Sequence, residues 1–271
     1  MPFLDFGISP ESGVNGPYAD YDTALAALRA DAGASDGDAY QLDSGQLFAA
    51  YTSEGPGILI PSDLYPQVDA YVSNATGIAH QTSDDTQADL VARGWTIATS
   101  GNGTVTGGDG SPFRLDTVSG SSTNAEVRFD SSSNTPRFLM LTKIQSISGT
   151  NLAGTRHRVF SGTRYLQMSS TDGALGQFDT YDFGSNARVS GTIGEFTDTT
   201  AQWYLMLYHE DSTDNVAYWA RIDGPPEERV SVQISALPTN ASLFFSHAAN
   251  RGSVGTQCSF DLYETHALVL T

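Results

Sequence analysis

Two short segments of the sequence carry side chains of the kinds that bind sugars. One places Trp219, Arg221 and Asp223 at alternate positions, and the other places Glu126 and Arg128 at alternate positions. Because successive side chains of a β-strand point to opposite faces, each group would share one face of its strand. Pyranose rings have apolar faces and polar edges, which suit an aromatic ring flanked by charged groups. These five residues are therefore the predicted carbohydrate-binding site.

The same residues also have a purely structural interpretation. Trp219 could cap the edge of the core, and the charged residues could form cross-strand pairs. Two other segments, His209–Asn215 and Asp179–Asn186, contain the oxygen ligands that Ca²⁺ prefers. Both are also typical of hairpin turns, and we predict turns there. We accordingly predict no metal site and no cofactor.

Several motifs of enzymes are absent from the sequence. There is no His-Glu-x-x-His helix, no phosphate-binding glycine-rich loop with lysine, and no EF-hand loop. The Glu-x-Asp-x-x-Glu pattern of β-sandwich glycosidases is also missing. The only cysteine, Cys258, excludes an intrachain disulfide and a cysteine-based metal cage. The sequence therefore predicts that the protein is not an enzyme and has no catalytic residues.

The charge balance of the chain restricts its partners. Its 271 residues include 13 Lys and Arg against 31 Asp and Glu, for a formal net charge of −18. Nucleic acids and anionic membranes attract clustered cations, so neither is an expected partner. No apolar run approaches the ~18 residues of a transmembrane helix. An anionic glycan would need a local arginine cluster such as Arg156, Arg158 and Arg164, and its binding should strengthen with added salt.

The N-terminal residues 1–75 differ in pattern from the remainder. An acidic cap precedes a short alanine-rich helix over residues 24–30, and a hairpin follows over residues 39–51 around Asp43-Ser44-Gly45. An apolar strand follows at residues 57–60. So few elements bury little surface, which indicates a segment that docks onto a partner. A second helix at residues 84–93 predicts a helical linker over residues 76–94.

From residue 95 to residue 271 the sequence alternates between short strands and turns rich in Gly, Ser, Asn and Asp. Eleven or more strands with no convincing helix between them predict an antiparallel β-sandwich of the jelly-roll type. The predicted strands are Trp95–Thr99, Phe113–Val118, Ala125–Phe129, Arg137–Ile147, His157–Phe160, Tyr165–Met168, Gln202–His209, Val216–Ile222, Arg229–Ile234, Leu243–Ser246 and Phe260–Val269. Residues 203–208 have no polar gap, which predicts a central strand buried on both faces. The predicted fold class is mainly β.

Residues 94–271 resemble the concanavalin A-like (laminin-G-like) jelly roll of lectins. The segments that carry this resemblance are Gly94–Ile97 with Gly103–Thr106 as a first strand pair, Phe196–Leu205 with Val216–Gly224 as a second pair, and Phe260–Ala267 as the closing strand. The resemblance implies a lectin-like domain. Alginate-lyase-like members of this superfamily have three motif strands, and Glu126-Val127-Arg128 and Gln233-Ile234-Ser235 are similar to two of them. Ser235 stands where that family has histidine, and a Tyr-Phe-Lys strand is missing.

The N-terminal segment resembles parts of tailed-phage virion proteins and gene transfer agents. The resemblance rests on its Leu-x-x-Leu helix, on Asp-Gly-Asp-Ala-Tyr-Gln-Leu and on Gly-Gln-Leu-Phe-Ala-Ala-Tyr. It implies a fibre, spike or decoration protein that docks on other particle proteins and adsorbs to host surface polysaccharide. We expect a homo-oligomer, with a trimer as the suggested form, because several copies would give avidity from weak individual sites. The chain start has no export signal, so we expect synthesis in a bacterial host cytoplasm and a final position on the particle surface.

Two other functions stay open at this point. One is a polysaccharide-degrading jelly-roll enzyme, either a lyase or a glycosidase. The other is a purely architectural decoration protein that has no ligand. Fold likeness alone does not decide among them.

Overall fold

The computed structural model describes residues 13–53, 55–72, 78–117, 124–131, 137–146, 155–162, 164–170, 175–182, 187–195, 200–210, 215–222, 229–234, 236–237, 242–250 and 257–270. The chain divides into two compact units, residues 1–74 and residues 75–271. Each unit has its own sheet structure. Within the described part of the chain, no helix is long and apolar enough to cross a membrane.

The first unit contains a four-stranded sheet and two helices. Its elements are β1 (Asn15–Tyr18), α1 (Tyr21–Ala30), β2 (Ala39–Leu42), β3 (Leu47–Tyr51), β4 (Ile58–Pro61) and α2 (Tyr65–Val72). The strands lie in the order β1, β2, β3, β4, with β1 parallel to β2 and the other neighbours antiparallel. The predicted helix, hairpin and apolar strand are confirmed as α1, β2 with β3, and β4.

Helix α1 begins where the sequence predicts its acidic cap. The carboxylate of Asp20 accepts a hydrogen bond from the backbone N–H of Thr23 at 2.8 Å and so satisfies one of the free donors of the first turn. On the buried face, the hydroxyl of Tyr21 donates to the carbonyl of Leu59 at 2.6 Å. This bond joins the helix to β4 within the first unit.

The second unit is an antiparallel β-sandwich. Its elements are β5 (Ile78–Thr82), α3 (Gln87–Ala92), β6 (Trp95–Ser100), β7 (Gly103–Thr106), β8 (Phe113–Thr117), β9 (Asn124–Asp130), β10 (Phe138–Ser146), β11 (Thr155–Ser161), β12 (Arg164–Ser170), β13 (Leu175–Asp182), β14 (Ala187–Glu195), β15 (Gln202–Glu210), β16 (Asn215–Arg221), β17 (Val230–Gln233), β18 (Leu243–Asn250) and β19 (Cys258–Val269).

Two sheets enclose the core of this unit. The eight-stranded sheet has the order β17, β16, β15, β10, β19, β8, β7, and β5 pairs with β19 off this path. The seven-stranded sheet has the order β14, β13, β12, β11, β18, β9, β6. Alternate residues of both sheets form one hydrophobic cluster between them. The predicted mainly β fold, with an antiparallel sandwich, is confirmed.

Strand β15 confirms the prediction of a central strand buried on both faces. It pairs with β10 on one side and β16 on the other. Residues 202–209 are all buried. The core cluster includes Tyr204, Met206 and Tyr208, so the residues between them face away from that cluster and are nevertheless buried.

Two segments differ from the sequence-based expectations. Residues 78–82, expected in a helical linker, form β5 and pair with β19. Residues Asp179–Asp182, expected in a turn, belong to β13, because β12 and β14 pair with it on both sides and override the turn preference of aspartate. The rest of that segment, residues 183–186, lies outside the described residues, as do residues 211–214 of the other predicted turn.

The predicted pairing of β6 with β7 is also wrong. Strand β6 pairs with β9 in the seven-stranded sheet, whereas β7 pairs with β8 in the eight-stranded sheet. The chain therefore passes from one sheet to the other between these strands. Gly103 opens β7 where a Cβ would collide with the carbonyl oxygen of Asn124, so this close approach requires glycine.

A buried chain of hydrogen bonds joins the two sheets through the core. Nδ1 of His157 lies 2.8 Å from Nδ1 of His247, whose Nε2 lies 3.0 Å from the hydroxyl of Thr265. That hydroxyl lies 3.1 Å from the hydroxyl of Thr142, which donates to the carbonyl of Glu264 at 3.2 Å. Both histidine side chains are fully buried. Polar groups thus connect the centres of both sheets.

The direction of each bond in this chain follows from the hydrogen count. Thr142 uses its only proton on a carbonyl, so Thr265 must donate to Thr142 and accept from Nε2–H of His247. A neutral His247 then accepts at Nδ1, and His157 must donate from its own Nδ1. Burial lowers the pKa of both rings, to about 3 for His247, and His247 adds to the lowering at His157. Both histidines are therefore neutral at pH 7.

Candidate functional site

The two faces of the seven-stranded sheet differ in chemistry. One set of alternate residues on β9, β11, β12 and β18 belongs to the core, namely Ala125, Val127, Val159, Leu166, Met168, Leu243, Phe245 and Ala249. The intervening residues point the opposite way and, apart from Ala248, are charged, amide-bearing, hydroxylic or aromatic. We call this surface the outer face, defined by Glu126, Arg128, Arg156, Arg158, Phe160, Tyr165, Gln167, Phe244 and Ser246.

Strand register arranges the outer face in three rows that run across the strands. From β9 through β18 and β11 to β12, the rows are Glu126, Ala248, Arg156, Ser169; then Arg128, Ser246, Arg158, Gln167; then Asp130, Phe244, Phe160, Tyr165. Beyond β12 the sheet continues with β13 and β14, and the backbone register pairs Ser169 with Gln177, Gln167 with Asp179 and Tyr165 with Tyr181. Because neighbouring strands lie about 4.8 Å apart, each row presents one residue at that interval.

Arg158 is held in the middle of the outer face by three neighbours. Its guanidinium carbon lies 5.0 Å from the ring centre of Tyr165 and 5.6 Å from that of Phe160. Its Nε donates to Oε1 of Gln167. Two cation–π contacts and a hydrogen bond together fix the plane of the guanidinium, which is the group best suited to two-pronged recognition of an oxyanion.

Arg128 makes one cation–π contact on the neighbouring pair of strands. Its guanidinium carbon lies 5.4 Å from the ring centre of Phe244. Its Nε is buried and has no acceptor within hydrogen-bonding distance among the described residues. In the adjacent row, Glu126 accepts a hydrogen bond from the hydroxyl of Ser246 at 2.6 Å. The outer face therefore holds two arginine–aromatic pairs beside hydroxyl, amide and carboxylate groups.

The carboxylates described on this face do not form the pair that a glycosidase needs. Glu126 and Asp130 lie four residues apart on β9, a separation of about 13 Å along an extended strand. Retaining glycosidases hold their two carboxyl groups about 5 Å apart, and inverting ones about 6.5–9.5 Å apart. The arrangement of the described residues suits binding of a polyhydroxylated ligand rather than acid–base cleavage by this pair.

The structure separates the five residues predicted as a carbohydrate site. Trp219 lies on β16, fully buried within the core cluster, so the prediction of an exposed aromatic face is wrong. Arg221 shares that inward face at the end of the strand and is half-buried. Asp223 lies outside the described residues. Glu126 and Arg128 lie on the outer face of the other sheet, where sugar binding stays a prediction.

The arginine cluster suggested by the sequence is brought together only in part. Arg156 and Arg158 share the outer face, and Arg128 joins them from two strands away. Arg164 lies at the opposite end of β12 from Ser169 and donates to the carbonyl of Ala236. The cluster on the outer face is therefore Arg128, Arg156 and Arg158.

Neither of two enzyme-like sequence patterns forms a catalytic site. Glu126–Arg128 lies in the seven-stranded sheet, whereas Gln233 lies in β17 of the eight-stranded sheet, so the two lyase-like motifs do not share a face. The string Gly33-Ala34-Ser35-Asp36-Gly37 matches the Gly-x-Ser-x-Gly pattern. It lies between α1 and β2, whereas a nucleophile elbow connects a strand to a following helix.

Within the described residues, no group of three His, Cys, Asp or Glu could hold a metal ion.

The residues missed by the sequence analysis are Phe160, Tyr165, Gln167 and Phe244. The signal for three of them is present in the alternation of Arg156, Arg158 and Phe160 and of Tyr165, Gln167 and Ser169. Their meeting on one face depends on the register of β11 with β12, which places Phe160 opposite Tyr165. Phe244 joins them only through long-range pairing of β18 with β11.

Comparison with known proteins shows a similarity of fold only. No family model matches the sequence, and no curated protein matches it. The structure is similar to the VIP36 exoplasmic/lumenal domain in its Ca²⁺/Man2-bound form, with TM-score 0.50, 8% identity, 71% of this chain and 88% of that chain covered.

Two further solved structures show weaker similarity. A legume lectin-like domain from Entamoeba histolytica gives TM-score 0.48 and 10% identity, covering 70% of this chain and 95% of that chain. The Emp47p carbohydrate recognition domain gives TM-score 0.46 and 12% identity, covering 66% of this chain and 89% of that chain. The similarity to the VIP36 domain, together with the two packed antiparallel sheets, supports the concanavalin A-like jelly-roll fold that the sequence resemblance implied.

Proposed function

We propose that this protein is a carbohydrate-binding adsorption protein whose outer face binds a host cell-surface polysaccharide. The observation that carries the proposal is the set of three rows, in which arginine–aromatic pairs lie beside hydroxyl, amide and carboxylate side chains. Aromatic rings offer apolar surface to the C–H face of a sugar, while polar groups bind its hydroxyls. The lectin-like fold supports the proposal, since the VIP36 domain forms a complex described as Ca²⁺/Man2-bound.

A glycan array with bacterial surface polysaccharides tests this function on the full chain. The wild-type protein should bind at least one glycan, and Phe160→Ala should bind it about tenfold more weakly, a loss of about 1.4 kcal/mol. Tyr218→Ala is the matched control, because Tyr218 is a half-buried aromatic residue of the other sheet. No glycan signal, or equal signals for wild type and Phe160→Ala, would contradict the proposal. New reducing ends or unsaturated products would favour the degrading enzyme instead.

The same proposal places the protein on the surface of a phage-like particle. The first unit would dock onto the capsid or tail, and the sandwich would present the outer face to the host. The resemblance of the N-terminal segment to virion proteins supports this role, as does its compactness as a separate unit. Several copies, arranged as a trimer, would increase the avidity of individually weak sites. Synthesis would take place in the cytoplasm of the bacterial host.

Sedimentation of particles from a producing culture tests this location. An antibody against the chain should detect it in the density-gradient fractions that contain particles, and light scattering of the purified protein should give the mass of three chains. Recovery of the chain only in particle-free fractions would refute the particle role. A monomer both in isolation and in any particle would refute the avidity argument.

A further inference from the structure

The charges of the outer face differ from those of the whole chain. Among the side chains that the structure describes, the three rows contain three arginines and two acidic residues, namely Arg128, Arg156 and Arg158 against Glu126 and Asp130. The chain as a whole has 13 basic residues against 31 acidic ones. Scarce cations are thus concentrated on the surface where we place the glycan, which favours an anionic ligand there.

The contacts of Arg158, and the ring contact of Arg128, orient these two guanidinium groups for binding an oxyanion. Arg158 is held by Gln167 and two rings, and Arg128 lies on Phe244. A guanidinium whose plane is already fixed loses little side-chain entropy when it binds a carboxylate or sulfate. Glu126, the carboxylate next to Arg128 on the same strand face, already accepts a hydrogen bond from Ser246.

The spacing of the two strands that carry Arg128 and Arg158 suits a ligand with a disaccharide repeat. Arg128 on β9 and Arg158 on β11 lie in the same row and are separated by one strand, β18. Two strand spacings amount to about 10 Å. This distance corresponds to two pyranose units of an extended polysaccharide. The next row places Phe244, Phe160 and Tyr165 on three consecutive strands, parallel to the line that joins the arginines.

We propose that the outer face selects a linear acidic polysaccharide that runs across the strands, with an anionic group on every second sugar at Arg128 and Arg158. This inference rests on the proposed glycan-binding function and adds the class of glycan. The aromatic row supports the sugar rings, while the two guanidinium groups bind successive carboxylates or sulfates. The net charge of −18 repels such a polymer at long range, but at 0.15 M salt the screening length is only about 8 Å.

Octasaccharides that carry an anionic group on every second sugar test the inference on the full chain. Hyaluronan carries a carboxylate on every second sugar, and its carboxyl-reduced form has the same backbone without charge. In 0.15 M NaCl, wild-type protein should bind hyaluronan at least tenfold more tightly than the reduced form. A comparison of sulfated with desulfated chondroitin shows whether sulfate or carboxylate is the preferred anion, because the desulfated form keeps only the carboxylate. Binding should also strengthen between 0.01 and 0.15 M NaCl, as long-range repulsion is screened more than contacts between partly buried groups.

Variants of the full chain separate this inference from the proposed function. Arg158→Ala should weaken binding of the acidic octasaccharide at least tenfold, and Arg158→Lys should restore only part of it, because lysine keeps the charge without the planar fork. Arg29→Ala removes the same charge from an exposed position of the first unit and should have no effect. Equal binding of charged and reduced octasaccharides, or of wild type and Arg158→Ala, overturns the acidic ligand and leaves glycan binding intact. Failure of every glycan on the array overturns both.

Discussion

Replacing Trp219 with alanine should lower the free energy of unfolding by about 3–5 kcal/mol and leave the glycan affinity of the folded protein unchanged. The side chain is fully buried and lies opposite Met206 of β15 and Val230 of β17. Truncation removes a large apolar surface and leaves a cavity between the sheets. Urea denaturation followed by circular dichroism measures the stability, and glycan titration without denaturant measures the affinity.

Two variants make this result specific. Trp219→Phe retains an aromatic ring in the core and should lose less stability than Trp219→Ala. Arg158→Ala should show the reverse pattern, with a large loss of affinity and a small loss of stability, because its side chain lies on the outer face. A Trp219→Ala protein that is as stable as wild type but no longer binds glycan would return Trp219 to the binding site and refute its place in the core.

Mild acid should destabilise the sandwich through the buried pair of His157 and His247. Burial lowers the pKa of His247 from its ordinary 6.5 to about 3. Burial and the neighbouring His247 also lower the pKa of His157. Between these values the unfolded chain binds protons that the folded chain does not. The contribution to stability is therefore complete above pH 6.5 and falls with decreasing pH, by up to about 1.4 kcal/mol per pH unit for each ring. At pH 4.5, His247 alone accounts for about 3 kcal/mol.

Urea midpoints between pH 7.5 and pH 4.5 measure this effect. The double variant His157→Asn, His247→Gln keeps neutral hydrogen-bonding side chains at both positions but removes both titrating rings. Its stability should depend less steeply on pH than that of the wild type, and carboxylates elsewhere affect both proteins alike. Parallel pH profiles for the two proteins would show that the histidine pair does not control acid stability.

The strands of the sandwich could largely be predicted, because alternation and turn residues are local properties. Strand β15 is an example, since its unbroken apolar run determines its burial on both sides. Strand β13 could not be predicted, because Asp179 and Asp182 favour turns and only pairing with β12 and β14 holds the segment extended. The predicted pairing of β6 with β7 was wrong for a similar reason, because these two strands are neighbours in sequence but belong to different sheets.

The candidate site was harder to predict than the fold. Alternation shows which residues of a strand share a face but not which face points to the core. On β16 both faces mix aromatic and small residues, and the opposing sheet decides that Trp219 is buried. On β9 the alternation of apolar with charged residues is clear, and Glu126 and Arg128 face away from the core as the pattern predicts. Their aromatic neighbours come from strands more than thirty residues away and depend on long-range register.

A crystal structure of the full chain with a bound octasaccharide would show directly whether the glycan lies on the outer face. The acidic octasaccharide that binds most tightly is the ligand to use. We expect sugar rings on Phe160 and Tyr165, anionic groups at the guanidiniums of Arg128 and Arg158, and a chain direction across β9, β18, β11 and β12. An oligosaccharide bound only at the eight-stranded sheet, or only at loops away from these residues, would contradict it.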